Sequence, residues 1–392
     1  MKYKLSEIGR IVTGKTPSTK NKTSFSEEPD KYLFVTPRDM NGSEKTIKET
    51  ERYLTDEVTN TFKTLVINEK SICVSCIGTI GKVFMPSGPA ITNQQINSIT
   101  EIKNFVLPDY LYYYLTIHQK DIENLAGGTT MPIVNKTSFE QLEVEIPDLK
   151  TQKKIVRILS ALDQKIELNN QQSKALETVA FALYDDLINN IDESDFKKVA
   201  IGQIADCKLG GTPSRAKTEY WGGSINWINS GAINSFRITG PSELITEEGF
   251  KHTSTYMLPK GTTVLAITGA TLGQVSRMEI EGCANQSVIG IVGNNAISNE
   301  YIYLTIVRNI QEIINRQTGG AQQHINKNDI KEFEIILPNQ QLMNNFTNKV
   351  RPIFEKIAQN EFENKTLSSV RDAILPELVS GEINLNEATI NE

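Results

Sequence analysis

Between Thr151 and Asn189 the chain contains neither glycine nor proline, and its apolar residues keep a regular rhythm. Ile155, Leu159, Leu162 and Ile166 are spaced alternately by four and three, and Leu176, Ala180, Leu183 and Leu187 resume the pattern. Such spacing is the seam of a long helix that lies against another helix. A second seam runs through Phe346, Val350, Ile353 and Ile357 and continues in Leu367, Ile374 and Leu378. The polar interruptions coincide as well. Asn169 and Ser173 sit in the first seam, and Asn360 and Asn364 take the same heptad positions in the second. A polar residue at a core position fixes register and partner geometry at some cost in stability; the plainer alternative is that the coil meets solvent there. Arg371 interrupts the second seam, and Pro352 predicts a helix start or a kink near that residue. Each helix, at about 35 residues and ~1.5 Å per residue, spans roughly 50 Å, which suits a spacer better than a small domain's core. A helix with one apolar stripe must bury it, and the nearest available partner is the other copy.

The rest of the chain repeats too. Tyr110, Asn135-Lys136 and Pro147 recur 191 positions later as Tyr301, Asn326-Lys327 and Pro338. Upstream the offset drifts, with Thr16-Pro17-Ser18 matching Thr212-Pro213-Ser214 and Asn93-Gln94 matching Asn285-Gln286. Drift of this kind marks loop insertions between common strands. The period far exceeds the ~20–50 residues of a solenoid unit, so the repeat is a duplicated domain. Runs such as Ser71–Ile77 and Val264–Thr268, rich in β-branched residues and stopped by glycine, predict short strands. Helical patterns surround Tyr110–Leu115 and Tyr301–Val307. The expected fold class is therefore α/β (α+β), with mixed domains at 1–150 and 197–338 and helical segments at 151–196 and 339–392.

Composition adds bounds. With 39% hydrophobic and 22% charged residues over 392 positions, two ordinary cores are expected. No apolar run reaches the ~18–20 residues of a membrane span, and Met1-Lys2-Tyr3-Lys4 lacks a signal peptide's apolar stretch. Four cysteines in so long a chain do not make a secreted disulfide scaffold, so a cytoplasmic location is expected. The net charge of −6 runs against a nucleic-acid binder's usual basic face. Any basic surface must be local, or partner subunits must supply part of it.

Several motifs carry less than they promise. Gly9-Arg10-Ile11-Val12-Thr13-Gly14-Lys15-Thr16 fits a phosphate-binding P-loop letter for letter. Yet only eight mixed residues precede it, Pro17 follows, and the other copy, Gly210-Gly211-Thr212-Pro213, lacks the lysine. Cys73-Val74-Ser75-Cys76 lies in an apparent strand, where residues three apart face opposite sides, so no zinc site forms. His118, His252 and His324 have no counterparts in the other copy. Neither metalloprotease, dinucleotide-binding nor amino-methyltransferase motifs occur, and the chain is expected to perform no chemistry and to bind no metal.

The recurring loops are instead rich in hydrogen-bonding side chains. Amides and arginine read base edges, while lysine, hydroxyls and backbone amides hold phosphates. In the first half the DNA-contact candidates are Lys15, Thr16, Ser18, Lys20, Arg38 and Asn41. They continue with Thr79, Lys82, Gln94, Gln95, Thr129, Thr130 and Lys136. In the second half they are Thr212, Ser214, Arg215, Lys217, Asn229 and Ser230, then Thr271, Gln274, Gln286, Gln322, Gln323, His324 and Lys327. Asn93 and Asn285, shared by both copies, read as structural. Copy-specific residues, such as Arg38 against Ser230, are better candidates for reading different sequences.

Taken together, Gly14-Lys15-Thr16-Pro17-Ser18 with Gly210-Gly211-Thr212-Pro213-Ser214, Glu219-Tyr220-Trp221 before Ile225-Asn226-Trp227, Asn285-Gln286, Ile146-Pro147 leading to Gln152-Lys153-Lys154-Ile155, and Leu375-Pro376-Glu377-Leu378-Val379-Ser380-Gly381-Glu382-Ile383 give the chain its likeness. In their duplicated order they resemble the specificity subunit of a type I restriction-modification system, over essentially the whole length. The resemblance implies two target-recognition domains, each reading one half of a bipartite double-stranded DNA site. It implies two helices packed antiparallel as a ruler, docking two methyltransferase subunits that bind S-adenosylmethionine, with motor-nuclease restriction subunits beside them. No cofactor would be bound by this chain itself. One departure is that the first domain has Lys31-Tyr32-Leu33-Phe34 where the second has the Tyr220-Trp221 pair. A different class of function, a non-catalytic coiled-coil scaffold with two protein-binding domains, is distinguished by whether the chain binds duplex DNA with steep salt dependence.

Overall fold

A computed structural model describes residues 1–18, 24–29, 32–40, 45–127, 132–294, 296–316 and 324–383. By backbone proximity the chain forms two compact units, Met1–Lys165 with Leu367–Glu392, and Ile166–Thr366. Each long helix therefore contributes one stretch to each unit.

In the first unit the central sheet has the order Arg10–Thr13, Ile96–Thr100, Ile72–Ser75, Val83–Pro86, Thr46–Ile47. All neighbours are antiparallel except the last pair. The second unit repeats that order with Ala205–Leu209, Val288–Gly293, Thr263–Ala266, Val275–Met278 and Arg237–Ile238. The strands expected at Ser71–Ile77 and Val264–Thr268 are thus its middle strands, Ile72–Ser75 and Thr263–Ala266. Every residue of both is buried, because each face of the sheet is covered. Alternate side chains serve different cores. Ile72 and Val74 join the cluster under the helix Pro108–Ile117, while Cys73 joins Val12, Leu33 and Phe84 on the other face. Likewise Leu265 packs toward the helix Asn299–Asn315, and Val264 and Ala266 face Ile228 and Val288.

That other face is closed by a small sheet. In the first unit its order is Phe25–Ser26, Tyr53–Leu54, Tyr32–Val35, Ala90–Thr92, and in the second Glu243–Ile245, Trp221–Ile228, Cys283–Ala284. A two-stranded ribbon ties the ends of each domain, Lys2–Lys4 to Glu143–Glu145 and Phe196–Ala200 to Glu334–Pro338. On it rests the repeated tyrosine: the Tyr110 hydroxyl donates to the Glu145 carbonyl at 3.3 Å, and that of Tyr301 to the Ile336 carbonyl at 2.7 Å.

The two seams are long helices, Leu149–Asn190 and Gln340–Ser380. The second starts well before Pro352, contrary to the expectation of a start there. Pro352 lies on the exposed side, where water can satisfy the carbonyl one turn earlier that loses its N–H partner, while Val350 and Phe354 anchor the buried side on both flanks. Within the first unit, Ile155 and Leu159 share a core with Leu375 and Leu378. Arg371 is accommodated in its seam position by Asp163, 2.8 Å away. Within the second unit, Ala180 and Tyr184 pack with Phe346, Val350 and Phe354.

The polar seam residues are buried, so the coil does not meet solvent there. Asn169 Nδ2 donates to Asn364 Oδ1 at 2.9 Å, and Asn360 Nδ2 donates to Ser173 Oγ at 3.2 Å. Because Asn169 meets Asn364 while Ser173 meets Asn360, the paired stretches run antiparallel. Asn360 is fully buried and Asn169 and Ser173 nearly so.

Candidate nucleic-acid interface

The recurring loops converge through a chain of backbone hydrogen bonds that each half repeats bond for bond. In the first half the Lys15 N–H donates to the Thr92 carbonyl (2.9 Å), that of Cys76 to Gln95 (2.7 Å), and that of Val134 to Cys76 (2.9 Å). In the second, Gly211 donates to Ala284 (2.8 Å), Ile267 to Ser287 (3.0 Å), and Ile325 to Ile267 (3.1 Å). The Gly-x-Thr-Pro-Ser loop, the Asn-Gln turn and the hairpin after the middle strand are thereby brought side by side. Gly14 and Gly210 are required by this junction, since a Cβ at either would overlap the backbone carbonyls of the Asn-Gln turn.

The shared asparagines are structural, as expected. Asn93 Oδ1 accepts from the Gln95 N–H, and Asn285 Oδ1 from the Ser287 N–H, both at 3.0 Å, which closes the turn. Across the junction Thr16 Oγ1 donates to Gln94 Oε1 at 2.7 Å, and the Thr212 hydroxyl bonds Gln286 in the same way. Gln94 and Gln286 are exposed, so each presents its amide NH2 outward from a fixed position. Ser18 and Ser214 flank them in the open.

Other candidates are tied down to different degrees. Lys15 lies over the Phe62 ring at 5.7 Å, and Lys217 Nζ bonds the Tyr220 hydroxyl at 2.8 Å. Gln95 Oε1 accepts from Asn93 Nδ2. Thr79 and Lys82 belong to a hairpin braced by Ser75, whose hydroxyl donates to the Thr79 carbonyl and accepts from the Lys82 N–H. Thr271 sits in the matching turn, bonded to the Thr268 carbonyl, while Gln274 has its Oε1 buried. Arg38 is exposed, with Glu51 4.0 Å away. Asn229 precedes the short turn that Ser230 opens, and His324 is exposed beside Ile325. Lys136 and Lys327 do not share the junction; they begin the short helices Lys136–Glu140 and Lys327–Lys331, which follow its last bond. Lys20, Asn41, Thr129, Thr130, Gln322 and Gln323 lie outside the described residues.

Sheet register revises two correspondences. Asn93 and Asn285 receive their strands through the carbonyls of Val35 and Ile228, so Arg38 stands opposite Gly231 rather than Ser230. The first domain has no counterpart of the adjacent Tyr220-Trp221 pair, since Ser24 takes the place of Tyr220, but it does have a counterpart of the stacked pair Trp221 and Trp227. Leu54 pairs with both Phe25 and Tyr32, as Ile245 pairs with both Trp221 and Ile225. Phe25 therefore corresponds to Trp221, and Phe34 to Trp227. Both pairs have ring centroids 5.2 Å apart in edge-to-face orientation.

A guanidinium lies over each pair. Arg215 stacks 3.6 Å from Trp221 and 5.4 Å from Trp227, and Arg52 lies 4.8 Å from Phe25 and 5.9 Å from Phe34. Glu243 holds Arg215 end-on, through Nη1 at 2.7 Å and Nη2 at 2.6 Å. These bonds lower the carboxyl pKa of Glu243 and raise that of Arg215. Arg52, Phe25, Trp221 and Glu243 were not among the candidates read from the sequence.

The formal P-loop is no phosphate cradle. Its middle, Arg10–Thr13, is a strand whose backbone pairs with Asn97–Thr100. Cys73 and Cys76 fall in separate cores, and burial pushes their thiols up to about 12 and about 11, so neither is a thiolate at neutral pH. Among the described residues no cluster of potential metal ligands occurs, and no helix is long and apolar enough to cross a membrane.

The family described as type I restriction modification DNA specificity domain matches residues 1–178 and 193–345. The chain belongs to this family, with one match in each half. Specificity subunits of this kind are non-catalytic, methylation and cleavage being carried out by other subunits. The chain is 24% identical over 408 residues to the type I restriction enzyme MjaIX specificity subunit of Methanocaldococcus jannaschii, covering 98% of this chain and 93% of the relative. It is 26% identical over 361 residues to the HindI specificity subunit of Haemophilus influenzae, covering 71% and 78%. The crystal structure of the type I restriction-modification S subunit from M. genitalium shares the fold, with a TM-score of 0.58 at 17% identity over 96% of this chain and 95% of that one.

Proposed function

We propose that the chain directs a type I restriction-modification complex to a bipartite duplex DNA target, each domain reading one half-site from the junction of its Gly-x-Thr-Pro-Ser loop and Asn-Gln turn. The observation that carries this reading is the repeated backbone junction, which keeps the Thr16–Gln94 and Thr212–Gln286 bonds alike but carries Lys15 against Gly211 and Gln95 against Ser287. One frame used twice with different contents suits two unlike half-sites on one duplex. The helices Leu149–Asn190 and Gln340–Ser380 hold the spacing and dock two methyltransferase subunits, which bind S-adenosylmethionine and methylate adenine. Motor-nuclease subunits complete the assembly. The partners also supply positive surface that a chain of net charge −6 lacks.

Mapping methylated adenines in cells carrying the complete system tests this directly. The expected motif is two short specified segments separated by unspecified bases. Changing Arg38 or Gln323 alters one segment only; an equal loss on all sequences assigns those residues to phosphates instead. Inserting one heptad into both helices adds about 10 Å of rise and lengthens the gap by at most about three base pairs at ~3.4 Å each. A gap that stays the same overturns the ruler.

A further inference from the structure

We propose that the guanidinium laid over the aromatic pair is the guanine-reading group of each half-site: Arg215 in the second domain, with Glu243 and Trp221 as its positioning residues, and Arg52 in the first. The assignment rests on the half-site reading above. Its first support is equivalence without sequence correspondence. Register matches Phe25 and Phe34 to Trp221 and Trp227, and it matches Arg52 to Glu243, because Phe34 bonds the Arg52 carbonyl while Trp227 pairs with Glu243. The strand position that supplies the guanidinium in one domain thus supplies its carboxylate partner in the other, where the guanidinium comes from the neighbouring loop. Both routes put a planar cation on the same two rings. A feature reached by different residues in the two copies is a required group, not an inherited one.

The second support is geometry. Arginine reads guanine by aiming two parallel N–H groups at O6 and N7. Glu243 occupies the end of the Arg215 guanidinium, through Nη1 and Nη2, which leaves the edge formed by Nε–H and the adjacent Nη–H open for that task. Trp221 fixes the plane of the fork, and its own Nε1 is anchored to the Ser214 carbonyl at 3.3 Å. Trp227 Nε1 is tied to the Gly211 carbonyl at 3.0 Å, so the rings belong to the same junction as the Thr212–Gln286 bond. An exposed ion pair adds little to stability, and immobilising an arginine costs rotamer freedom. Holding a fork in a binding-ready plane is where that ordering has an effect.

The test uses the complete system in cells, with adenine-methylation motifs read for wild type, Arg52→Ala, Arg52→Lys, Arg215→Ala, Arg215→Lys and Glu243→Gln. Each wild-type half is expected to contain a guanine. Arg215→Ala relaxes discrimination at one guanine of one half by about 5- to 150-fold, and Arg52→Ala does so in the other half. The lysine variants relax the same positions, because an ammonium keeps the charge without the fork. Glu243→Gln weakens discrimination at the Arg215 position alone and by less. If the alanine variants fail to accumulate, the lysine variants and Glu243→Gln decide the matter. Lysine restoring the full wild-type motif, with alanine weakening all sequences equally, makes these residues phosphate anchors and overturns the proposal. A split motif unchanged by every variant overturns the assignment alone, whereas a wild-type motif that is not split overturns the half-site reading as well.

Discussion

The two domains ground themselves on the first long helix with the same chemistry at non-equivalent positions. In the first unit the Tyr113 hydroxyl donates to Asp163 at 2.5 Å, and Arg371 backs that carboxylate at 2.8 Å. In the second, the Tyr303 hydroxyl donates to Glu177 at 2.8 Å, with Arg237 3.5 Å from it. Tyr113 and Tyr303 are not repeat mates, since the repeat places Tyr112 opposite Tyr303. The arginines differ in origin as well, one from the second helix and one from a sheet. At the loop junction the reverse holds, for there the backbone bonds recur position by position, with the Asn and Thr–Gln contacts kept, while side chains such as Lys15 and Gly211 differ. A helix-facing surface needs only a buried, satisfied polar contact, and many positions can supply one. The junction needs a fixed frame, so its backbone cannot drift.

The comparison can be broken first by removing large core groups. Phe354→Ala is expected to cost ~3–5 kcal/mol and Leu375→Ala ~2–5 kcal/mol. Hydrogen exchange should show the first loss in the second unit and the second loss in the first unit, because Phe354 and Leu375 belong to different cores. Equal loss of protection everywhere would mean that the halves form a single cooperative core. The next test sets the buried carboxylate behind the second anchor's Arg237 against the carboxylate of the first anchor. In the second unit Arg277 reaches Glu279 at 2.5 Å and Arg237 lies 3.7 Å from it, with the Glu279 side chain fully buried. Glu279→Gln therefore leaves two buried guanidinium groups short of a carboxylate, at a cost of about 3 kcal/mol in urea denaturation. Asp163 and Arg371 keep a little exposure, 15% and 17% of their side chains, so Asp163→Asn should cost less, about 1.5–2 kcal/mol. Equal effects would erase the distinction between the two carboxylates.

Asn360→Ala tests the polar layer of the second unit. It strands the buried Ser173 Oγ, which accepts from Asn360 Nδ2, whereas the exposed Gln172 amide oxygen turns to water, for an expected ~1–3 kcal/mol. Replacing Asn169, Ser173, Asn360 and Asn364 together with apolar residues should recover that stability while loosening register. A fourfold variant that is both stable and unchanged in its spacer would deny the layer any registering role. The smallest expected effect concerns acid. The Glu243 carboxyl is held below its ordinary range by Arg215, so its contribution is present above the unfolded pKa and fades as pH falls through the lower folded value. For so exposed a pair the contribution is below about 1 kcal/mol. Wild type should lose that increment below about pH 4, where a free carboxyl titrates, and Glu243→Gln should not. Identical acid profiles in thermal melts would remove Glu243 from the comparison.

What could be read from the chain followed local periodicity. The seams gave the helices and their polar layer, and the recurring Gly-x-Thr-Pro-Ser and Asn-Gln segments marked the loops that converge. Phe25 and Arg52 went unread, and Phe34 was not joined to them, because the three meet only through the pairing of strands whose partners Phe25 and Leu54 lie 29 positions apart. Arg38 was set against Ser230 for the same reason, since a one-residue register cannot be counted through loops of unequal length. The helix start expected near Pro352 fails because a proline's cost depends on which side of the helix it occupies, whereas the P-loop spelling holds no phosphate site, as its sequence context already indicates, because its middle is committed to a sheet.

Leu375 and Leu378 close the core of the domain that begins at Met1. On the ribosome, at ~5–20 residues per second, the first 165 residues then wait about 10–40 s for the segment that completes them. The second domain, whose parts all lie between Ile166 and Thr366, can finish before the first. A message cut short before Leu375 would thus yield a chain whose later half folds and whose earlier half keeps Ile155 and Leu159 uncovered, a product suited to aggregation and degradation rather than to reading half a site.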